Sequence, residues 1–256
     1  MSYNFQPTTF KRLPDVIKNL IIINGLFFLG TIVLRNFGID LIKAFGLFLP
    51  GSTNFAPHQF ITHMFMHSIS NPGHIFMNMF MLWMFGNMLE NIWGAKRFLV
   101  FYMVTGLGAG LLYTAVHYTE AMMLQNQLME AGMSQSDLMN LVTTMRYNPA
   151  VLSSVTEDVL RDYWLAFNTP VIGASGAVYG VLMAFGMIFP NMMIYIYFLF
   201  PIKAKWLVII LGAVEFFQGF NSSGSNVAHF AHLGGMLFGY LLIKYWQKKG
   251  MGNPMY

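Results

Sequence analysis

The sequence predicts an all-α membrane protein, a bundle of six transmembrane helices with both termini cytoplasmic. Of the 256 residues, 56% are hydrophobic and only 9% are charged, whereas a soluble domain has roughly 25% charged residues. Six stretches are apolar enough for membrane helices, each of which needs about 20 residues. The Lys and Arg residues also gather on one side of these stretches, as they do in membrane proteins of fixed orientation.

The six predicted spans cover residues 16–34, 74–92, 97–117, 171–190, 206–220 and 228–246. A further apolar run, residues 192–200, lies between Pro190 and Pro201 and is too short to span. We expect it to form a loop against the membrane face. The domain division that follows is an N-terminal cytoplasmic tail at 1–15, a membrane domain at 16–247 and a C-terminal cytoplasmic tail at 248–256.

The basic residues predict the orientation. With the N-terminus inside, ten of the 14 Lys and Arg residues fall on the inner side and four on the outer side. The inner residues are Lys11, Arg12, Lys18, Lys96, Arg97, Lys203, Lys205, Lys244, Lys248 and Lys249, and the outer ones are Arg35, Lys43, Arg146 and Arg161.

Two connections are long, and this orientation places both outside. Residues 35–73 are half apolar, so we expect this first outer loop to lie in the membrane interface. Residues 118–170 form a polar, Met-rich insertion in which "SQSDLMNLVTTM" predicts a short helix capped at Ser134 or Ser136. The polar N-terminus lacks a signal-peptide cleavage site, so the first span is expected to remain as an anchor. The short chain suggests a bacterial inner membrane.

A few polar residues lie within the predicted spans, where such groups are costly and usually functional. His74 and Asn78 are four residues apart and share a helix face. Ser175 lies about one turn into the fourth span, and His232 about one turn into the sixth. In the predicted orientation all four have a common depth, slightly below the outer surface.

Glycine spacing predicts which of these helices touch. Gly176 and Gly180 form one GxxxG face, and Gly235 and Gly239 form another. Small residues at this spacing let membrane helices approach closely. Packing the two faces together would bring Ser175 towards His232.

A serine beside a histidine is the arrangement of covalent catalysis, in which the base accepts the hydroxyl proton. The oxyanion formed by attack on a carbonyl needs preorganised donors. The candidates are the backbone N–H of Ser175 and the side chains of His74 and Asn78. No Asp or Glu is expected at a matching depth beside His232, so the sequence predicts a Ser–His dyad without a third member.

Three motifs resemble those of the rhomboid intramembrane serine proteases. "GASG" (173–176) resembles the GxSG nucleophile motif, and Tyr179 follows where the family often has a tyrosine. "AHLGGMLFG" (231–239) resembles the motif of the catalytic histidine, and "HIFMN" (74–78) the HxxxN motif of the oxyanion residues. The stretch "MLWMFGNMLENIWGAKRFLVFY", which contains Glu90, is also similar to the family.

The resemblance implies that Ser175 is the nucleophile and His232 the general base, with Gly173, Gly176, Gly235, Gly239 and Tyr179 in support. It implies cleavage of single-pass transmembrane proteins within the bilayer, a water-filled cavity open to the outer side, and substrate entry between the second and fifth spans. It implies no cofactor or metal. Where many members have a Trp-Arg pair in the first outer loop, this chain has His58 and Gln59.

Other interpretations of single residues stay open. Ser175 alone could be a packing residue, and His229 is a rival base. His63, His67 and His74 could suggest zinc, although HExxH is absent. Glu215 is expected near the outer surface, neutralised or solvated, and Glu90 is expected to pair with Lys96 or Arg97.

Two other function classes compete with a protease. One is an inactive relative that binds membrane clients, although such proteins usually lose the serine or the histidine. The other is a small transporter, which often shows inverted repeats that are not found here. Nucleic-acid binding is disfavoured because the basic residues form no face. The lack of cysteine excludes disulfides and thiolate metal sites. Nothing in the sequence indicates the oligomeric state.

Overall fold

The structure is a computed structural model that describes residues 13–196, 200–221 and 227–250. The predicted tails at 1–15 and 248–256 fall almost entirely outside the described residues, and so do Lys11 and Arg12 of the charge count.

The described chain is mostly helical. In order, the α-helices are α1 (Asp15–Arg35), α2 (Leu41–Phe45), α3 (Gln59–Thr62), α4 (Pro72–Met81), α5 (Asn87–Trp93), α6 (Ala95–Glu130), α7 (Gln135–Thr144), α8 (Glu157–Asn168), α9 (Ser175–Ile188), α10 (Ala204–Asn221) and α11 (Val227–Lys248). Single 3₁₀ segments cover His63–Phe65 and Pro149–Ser153, and a π-helical turn covers Leu82–Gly86. The strands are β1 (Met193–Ile196) and β2 (Phe200–Lys203).

Each predicted span coincides with a helix or a pair of helices, but the lengths differ. By length and composition together, two helices among the described residues could cross a membrane, α1 and α6. The second predicted span is divided into α4 and α5 by the π turn, which inserts an extra residue into the helical hydrogen-bond pattern. The fourth is shorter than predicted, because α9 has 14 residues.

The short apolar run after α9 is a β-hairpin, so the all-α prediction is incomplete. β1 and β2 pair antiparallel, from Met193 opposite Lys203 to Ile196 opposite Phe200. The run is rich in Ile, Tyr and Phe, residues that favour strands, and Pro190 and Pro201 prevent a continuous helix through it.

The centre of the bundle is a three-helix contact. α6 packs against both α9 and α11, which also pack against each other. Large side chains fill this core, among them Phe85, Phe98, Phe101 and Tyr102, each almost inaccessible to solvent. The surfaces of α1 and α10 that face away from the core are exposed instead of buried. Large apolar side chains are exposed there, such as Phe217, which is 64% exposed, as expected of a surface that faces lipid.

The predicted insertion is a helical subdomain. α6 continues to Glu130, well beyond the predicted end of the third span, and α7 and α8 pack on its extension around Leu128, Leu141 and Leu160. α7 is capped at Ser134, as the sequence predicts: the Ser134 hydroxyl accepts from the Asp137 N–H, and the Asp137 carboxylate accepts from the Ser134 N–H. Hydrogen bonds to the Asp137 carboxylate from the Ser134 hydroxyl and then from the Ser134 N–H lower the pKa of Asp137.

Gln59 holds the first outer loop together. Its side chain is 1% exposed. The amide oxygen accepts from the N–H groups of Phe48 (3.3 Å) and Ala56 (3.1 Å), and the amide nitrogen donates to the Asn54 carbonyl (2.8 Å). His58 contacts the Ala44 carbonyl through Nε2 at 3.0 Å. The His-Gln pair thus supports the loop by hydrogen bonds to its backbone.

Glu90 differs from the expectation that it pairs with Lys96 or Arg97. Its carboxylate accepts hydrogen bonds from the N–H groups of Val16 and Ile17, both at 2.9 Å. These belong to the first turn of α1, whose N–H groups have no partner within the helix. A negative charge is favourable there. Arg97 instead lies over the Trp246 ring, 4.9 Å from its centroid.

Candidate active site

The segment that precedes Ser175 is extended and tied to the first outer loop. Val171 and Leu47 exchange two backbone hydrogen bonds of 2.9 and 3.0 Å, and the Gly173 N–H donates to the His63 carbonyl at 2.9 Å. Ser175 is therefore the first residue of α9. The predicted helix start at 171 is wrong, because these external bonds hold the backbone away from helical geometry.

Gly173 has a backbone conformation that favours glycine, with φ at +132°. A Cβ atom at this position would lie 2.9 Å from His74 Nε2. The absence of a side chain at 173 therefore lets the His74 ring approach the start of α9.

The two glycine faces are in direct contact. A Cβ on Gly235 would lie 1.8 Å from the Gly176 carbonyl oxygen, and one on Gly239 would lie 3.0 Å from that of Gly180. On its other side, Gly176 faces Ala109 of α6, whose Cβ would be 2.4 Å from an added Cβ. The backbones of α9 and α11 thus touch without intervening side chains.

This contact brings Ser175 and His232 together. The Ser175 Oγ atom is 2.8 Å from His232 Nε2, within hydrogen-bond distance. Tyr179, one turn after Ser175, stacks on the His232 ring with centroids 4.2 Å apart and planes 6° from parallel. The stacking limits the directions in which the imidazole can turn.

His74 and Asn78 lie on α4 at the same end of the bundle. The Ser68 N–H donates to His74 Nδ1 in a long hydrogen bond of 3.5 Å, so the other ring nitrogen, Nε2, faces Gly173. Asn78 donates one of its amide hydrogens to the His74 carbonyl at 2.8 Å, which leaves its second amide hydrogen available.

A cavity of about 640 Å³ connects these side chains. Ser175, His232, His74, Asn78 and Tyr179 all line it. Its remaining walls are mostly apolar, with Met77, Met81, Ile172 and Val178 among them. A mainly apolar cavity with a few convergent polar groups is the usual form of a binding site.

Glu215 is the residue of this site that sequence reasoning missed. It is 6% exposed and lies on α10, where its Oε1 atom is 3.0 Å from His232 Nδ1. Its carboxylate also accepts from the Tyr179 hydroxyl and lies 2.6 Å from His229 Nδ1. The expectation of no acid beside His232 is therefore wrong. Glu215, expected to be neutralised or solvated, is buried against two histidines and not solvated, because the rotation of α10 turns this side chain inwards.

The other histidines are distributed around the site. His229 is bonded to Glu215, and His63 and His67 are buried side chains of the first outer loop itself. Burial lowers the pKa of both His63 and His67 to about 4, which makes both rings neutral. Within the described ranges no group of three or more His, Cys, Asp or Glu side chains could hold a metal ion.

A sequence model of the rhomboid domain matches residues 54–248. The chain belongs to the rhomboid family. The match includes α3 to α11 and therefore every residue of the cavity described above.

Two curated proteins illustrate the relationship. The chain is 26% identical over 222 residues to "RHOMBOID-like protein 12, mitochondrial" of Arabidopsis thaliana. The aligned region covers 86% of this rhomboid and 55% of the relative. It is 28% identical over 173 residues to "Rhomboid protein 1, mitochondrial" of Saccharomyces cerevisiae. Here the aligned region covers 66% of this rhomboid and 36% of the relative. The chain thus spans about half or less of the length of these relatives.

These relatives overturn one prediction. Both are mitochondrial by name, which contradicts the bacterial inner membrane expected from the sequence. The expectation rested on the short chain, and it failed because the length of a membrane domain is set by the bilayer that it spans, which is of similar thickness in either setting.

Proposed function

We propose that this rhomboid is an intramembrane serine endopeptidase that cleaves single-pass transmembrane proteins. The observation that carries the proposal is the 2.8 Å contact between Ser175 Oγ and His232 Nε2, at the wall of a cavity large enough for a peptide segment. The rhomboid family consists generally of intramembrane serine proteases, which supports the same reaction class.

In the proposed reaction, Ser175 Oγ attacks the scissile carbonyl carbon while His232 Nε2 accepts the hydroxyl proton. The carbonyl double bond opens to an oxyanion. Collapse of this intermediate breaks the C–N bond, and His232 returns its proton to the leaving amine. Water then attacks the acyl-serine ester, again with His232 as the base, and releases the new carboxylate and the free serine.

Three donors are placed to bind the oxyanion. The Ser175 N–H belongs to the first turn of α9, where N–H groups lack partners within the helix. His74 presents Nε2 towards Gly173 and Ser175, and Asn78 has a free amide hydrogen beside it. Donors fixed in this way contribute about 3 kcal/mol each to acyl transfer.

The proposal includes six transmembrane segments with both termini on the same side of the membrane. α1, α4 with α5, α6, α9, α10 and α11 would be these segments. A substrate helix buries its own carbonyl groups in hydrogen bonds, so it must unwind locally before Ser175 can attack. Substrates with helix-breaking residues near the cleavage site are therefore favoured.

A test compares wild type with Ser175→Ala in detergent or liposomes. The wild type should cleave a panel of single-pass membrane proteins, and a fluorophosphonate should label it at Ser175 alone. Ser175→Ala should lose both activities, while Ser153→Ala, an exposed serine of the insertion, should keep both. Binding of membrane proteins by a wild type that neither cleaves nor labels would indicate the inactive client-binding class instead.

The same assay separates the two candidate bases. His232→Ala should reduce cleavage to the level of Ser175→Ala, because His232 Nε2 is the ring nitrogen in contact with Ser175. If His229→Ala has the larger effect and His232→Ala remains active, the assignment of the base is wrong.

A further inference from the structure

Glu215 is a buried carboxylate whose partners all surround the proposed base. Burying an ionised carboxylate is costly unless it is paired and hydrogen-bonded. Both oxygens of Glu215 are occupied. The Tyr179 hydroxyl donates to Oε1, which also lies 3.0 Å from His232 Nδ1, and His229 Nδ1 lies 2.6 Å from Oε2.

The carboxylate contacts the ring nitrogen of His232 that faces away from Ser175. Ser175 is at Nε2 and Glu215 is at Nδ1. The Nδ1–H bond does not point directly at Oε1, so the two groups are in close contact without hydrogen-bond geometry. Such contacts are often loose in enzymes without substrate and tighten in the reacting complex.

We propose that Glu215 is a positioning residue that makes the Ser175–His232 pair the first two members of a Ser–His–Glu arrangement. The inference rests on the proposed protease function. A carboxylate at Nδ1 keeps the proton of the neutral imidazole on that nitrogen and leaves Nε2 free to accept the serine proton. It also stabilises the imidazolium that forms when His232 takes this proton.

Tyr179 and His229 hold the carboxylate in place. Tyr179 stacks on the His232 ring and donates to Glu215, so one side chain fixes both the plane of the imidazole and the position of its partner. His229, one turn before His232 on α11, binds the second carboxylate oxygen. His229 thus supports the acid and does not compete for the serine proton.

The test measures kcat and KM for a single-pass substrate together with the rate of fluorophosphonate labelling of Ser175, using the full chain in liposomes. Glu215→Gln keeps the size of the side chain but removes its charge. We expect kcat and the labelling rate to fall roughly 10- to 100-fold with KM within about twofold. This is less than the roughly 10⁴-fold loss on replacing the acid of a Ser–His–Asp protease, because the contact between His232 Nδ1 and Glu215 lacks hydrogen-bond geometry here.

Two further variants keep the test decisive if Glu215→Gln folds poorly. Glu215→Asp retains the charge and should recover part of the lost kcat. Tyr179→Phe retains the stacked ring but loses the hydrogen bond to Glu215, and it should lower kcat with little change in KM. Glu120→Gln is the matched control, since it removes a carboxylate from another His–Glu pair, 2.8 Å from His117 Nδ1, and it should leave kcat unchanged.

The outcomes are distinct. Suppose that the fluorophosphonate labels the wild type at Ser175 and that Glu215→Gln has the wild-type kcat and labelling rate. The inference about Glu215 is then overturned, and the proposed function stands. Equal losses in Glu215→Asp and Glu215→Gln, with a raised KM, would also overturn it, because they indicate a packing role. A wild type that neither cleaves nor labels removes the proposed function, and this inference with it.

Discussion

At the scale of single residues, Gly173 combines a backbone conformation that favours glycine with a close approach to His74. Gly173→Ala should reduce cleavage by at least about tenfold, which corresponds to only 1.4 kcal/mol in the barrier. A Cβ atom there is strained by the positive φ and lies 2.9 Å from His74 Nε2, so it displaces a proposed oxyanion donor. Initial rates of substrate cleavage measure the effect.

Gly132 provides the matched control for this substitution. It also has a positive φ, +94°, but a Cβ there would meet nothing within 4 Å. Gly132→Ala should therefore lower stability without changing kcat. Equal losses of activity in the two variants would show that backbone strain, and not the displacement of His74, is responsible.

His67 makes stability depend on pH. The ring is fully buried next to His74, and neither of its nitrogens has a hydrogen-bond partner among the described residues. Burial lowers its pKa from 6.5 to about 4, so between these values the unfolded chain binds more protons than the folded one. Stability therefore falls as the pH decreases from about 6.5 towards 4.

His67→Met should weaken this acid sensitivity. Methionine fills a similar volume and has no charged form, so the decrease in Tm between pH 7 and pH 4.5 should be smaller than in wild type. A residual decrease should remain, because the pKa of His63 is also about 4. Thermal unfolding in detergent at several pH values is the measurement, and an unchanged decrease would assign the acid sensitivity to other groups.

The residues of the site were predictable to different degrees. The sequence predicted the proximity of Ser175 and His232, because glycine spacing indicates which helix faces approach closely. It missed the contact of Glu215 with His232, since a predicted span fixes neither the exact depth of a side chain nor the rotation of its helix. The same limit affected Glu90, whose partners are backbone N–H groups from a helix far away in sequence.

At the scale of helices, the contact between α9 and α11 tolerates no side chain. Gly235→Ala should destabilise the protein by about 1–3 kcal/mol or more, because the new Cβ would lie 1.8 Å from the Gly176 carbonyl oxygen. The helices must separate, which also moves Ser175 away from His232. We expect a lower Tm together with a loss of cleavage.

Gly25→Ala is the control for this pair of measurements. Gly25 lies within α1, and a Cβ there would meet nothing within 4 Å. This variant should be equally or more stable than wild type, since alanine favours helices by up to about 1 kcal/mol over glycine. A Gly235→Ala variant that behaves like Gly25→Ala would contradict the close contact of α9 and α11.

The helices themselves were predicted well and their ends less well. Long apolar runs locate α1, α6, α10 and α11, because burial in lipid selects for such runs. The sequence predicts helix for the extended segment 171–174 because its residues are equally apolar, and only its hydrogen bonds to Leu47 and His63 show otherwise. The β1–β2 hairpin was missed for a similar reason: a short apolar run does not specify its own conformation.

At the scale of the whole molecule, the absence of cysteine offers a direct test of topology. Two single variants, Ser136→Cys in the insertion and Lys248→Cys at the end of α11, would each carry one exposed cysteine. In sealed vesicles, an impermeant maleimide should label one of them before permeabilisation and the other only afterwards. Labelling of both from the same side would contradict the six-span arrangement.

The length of α6 has a mechanical consequence. Its 36 residues extend for about 54 Å at 1.5 Å per residue, whereas the hydrocarbon layer is about 30 Å thick. The 118–170 insertion therefore begins as a rigid continuation of a helix that packs on both α9 and α11. It ends at the extended segment 171–174, which is hydrogen-bonded to Leu47 just before Ser175. Neither connection is a free hinge. A ligand that tilts this helical subdomain would therefore displace Ser175 and His232 through both connections at once.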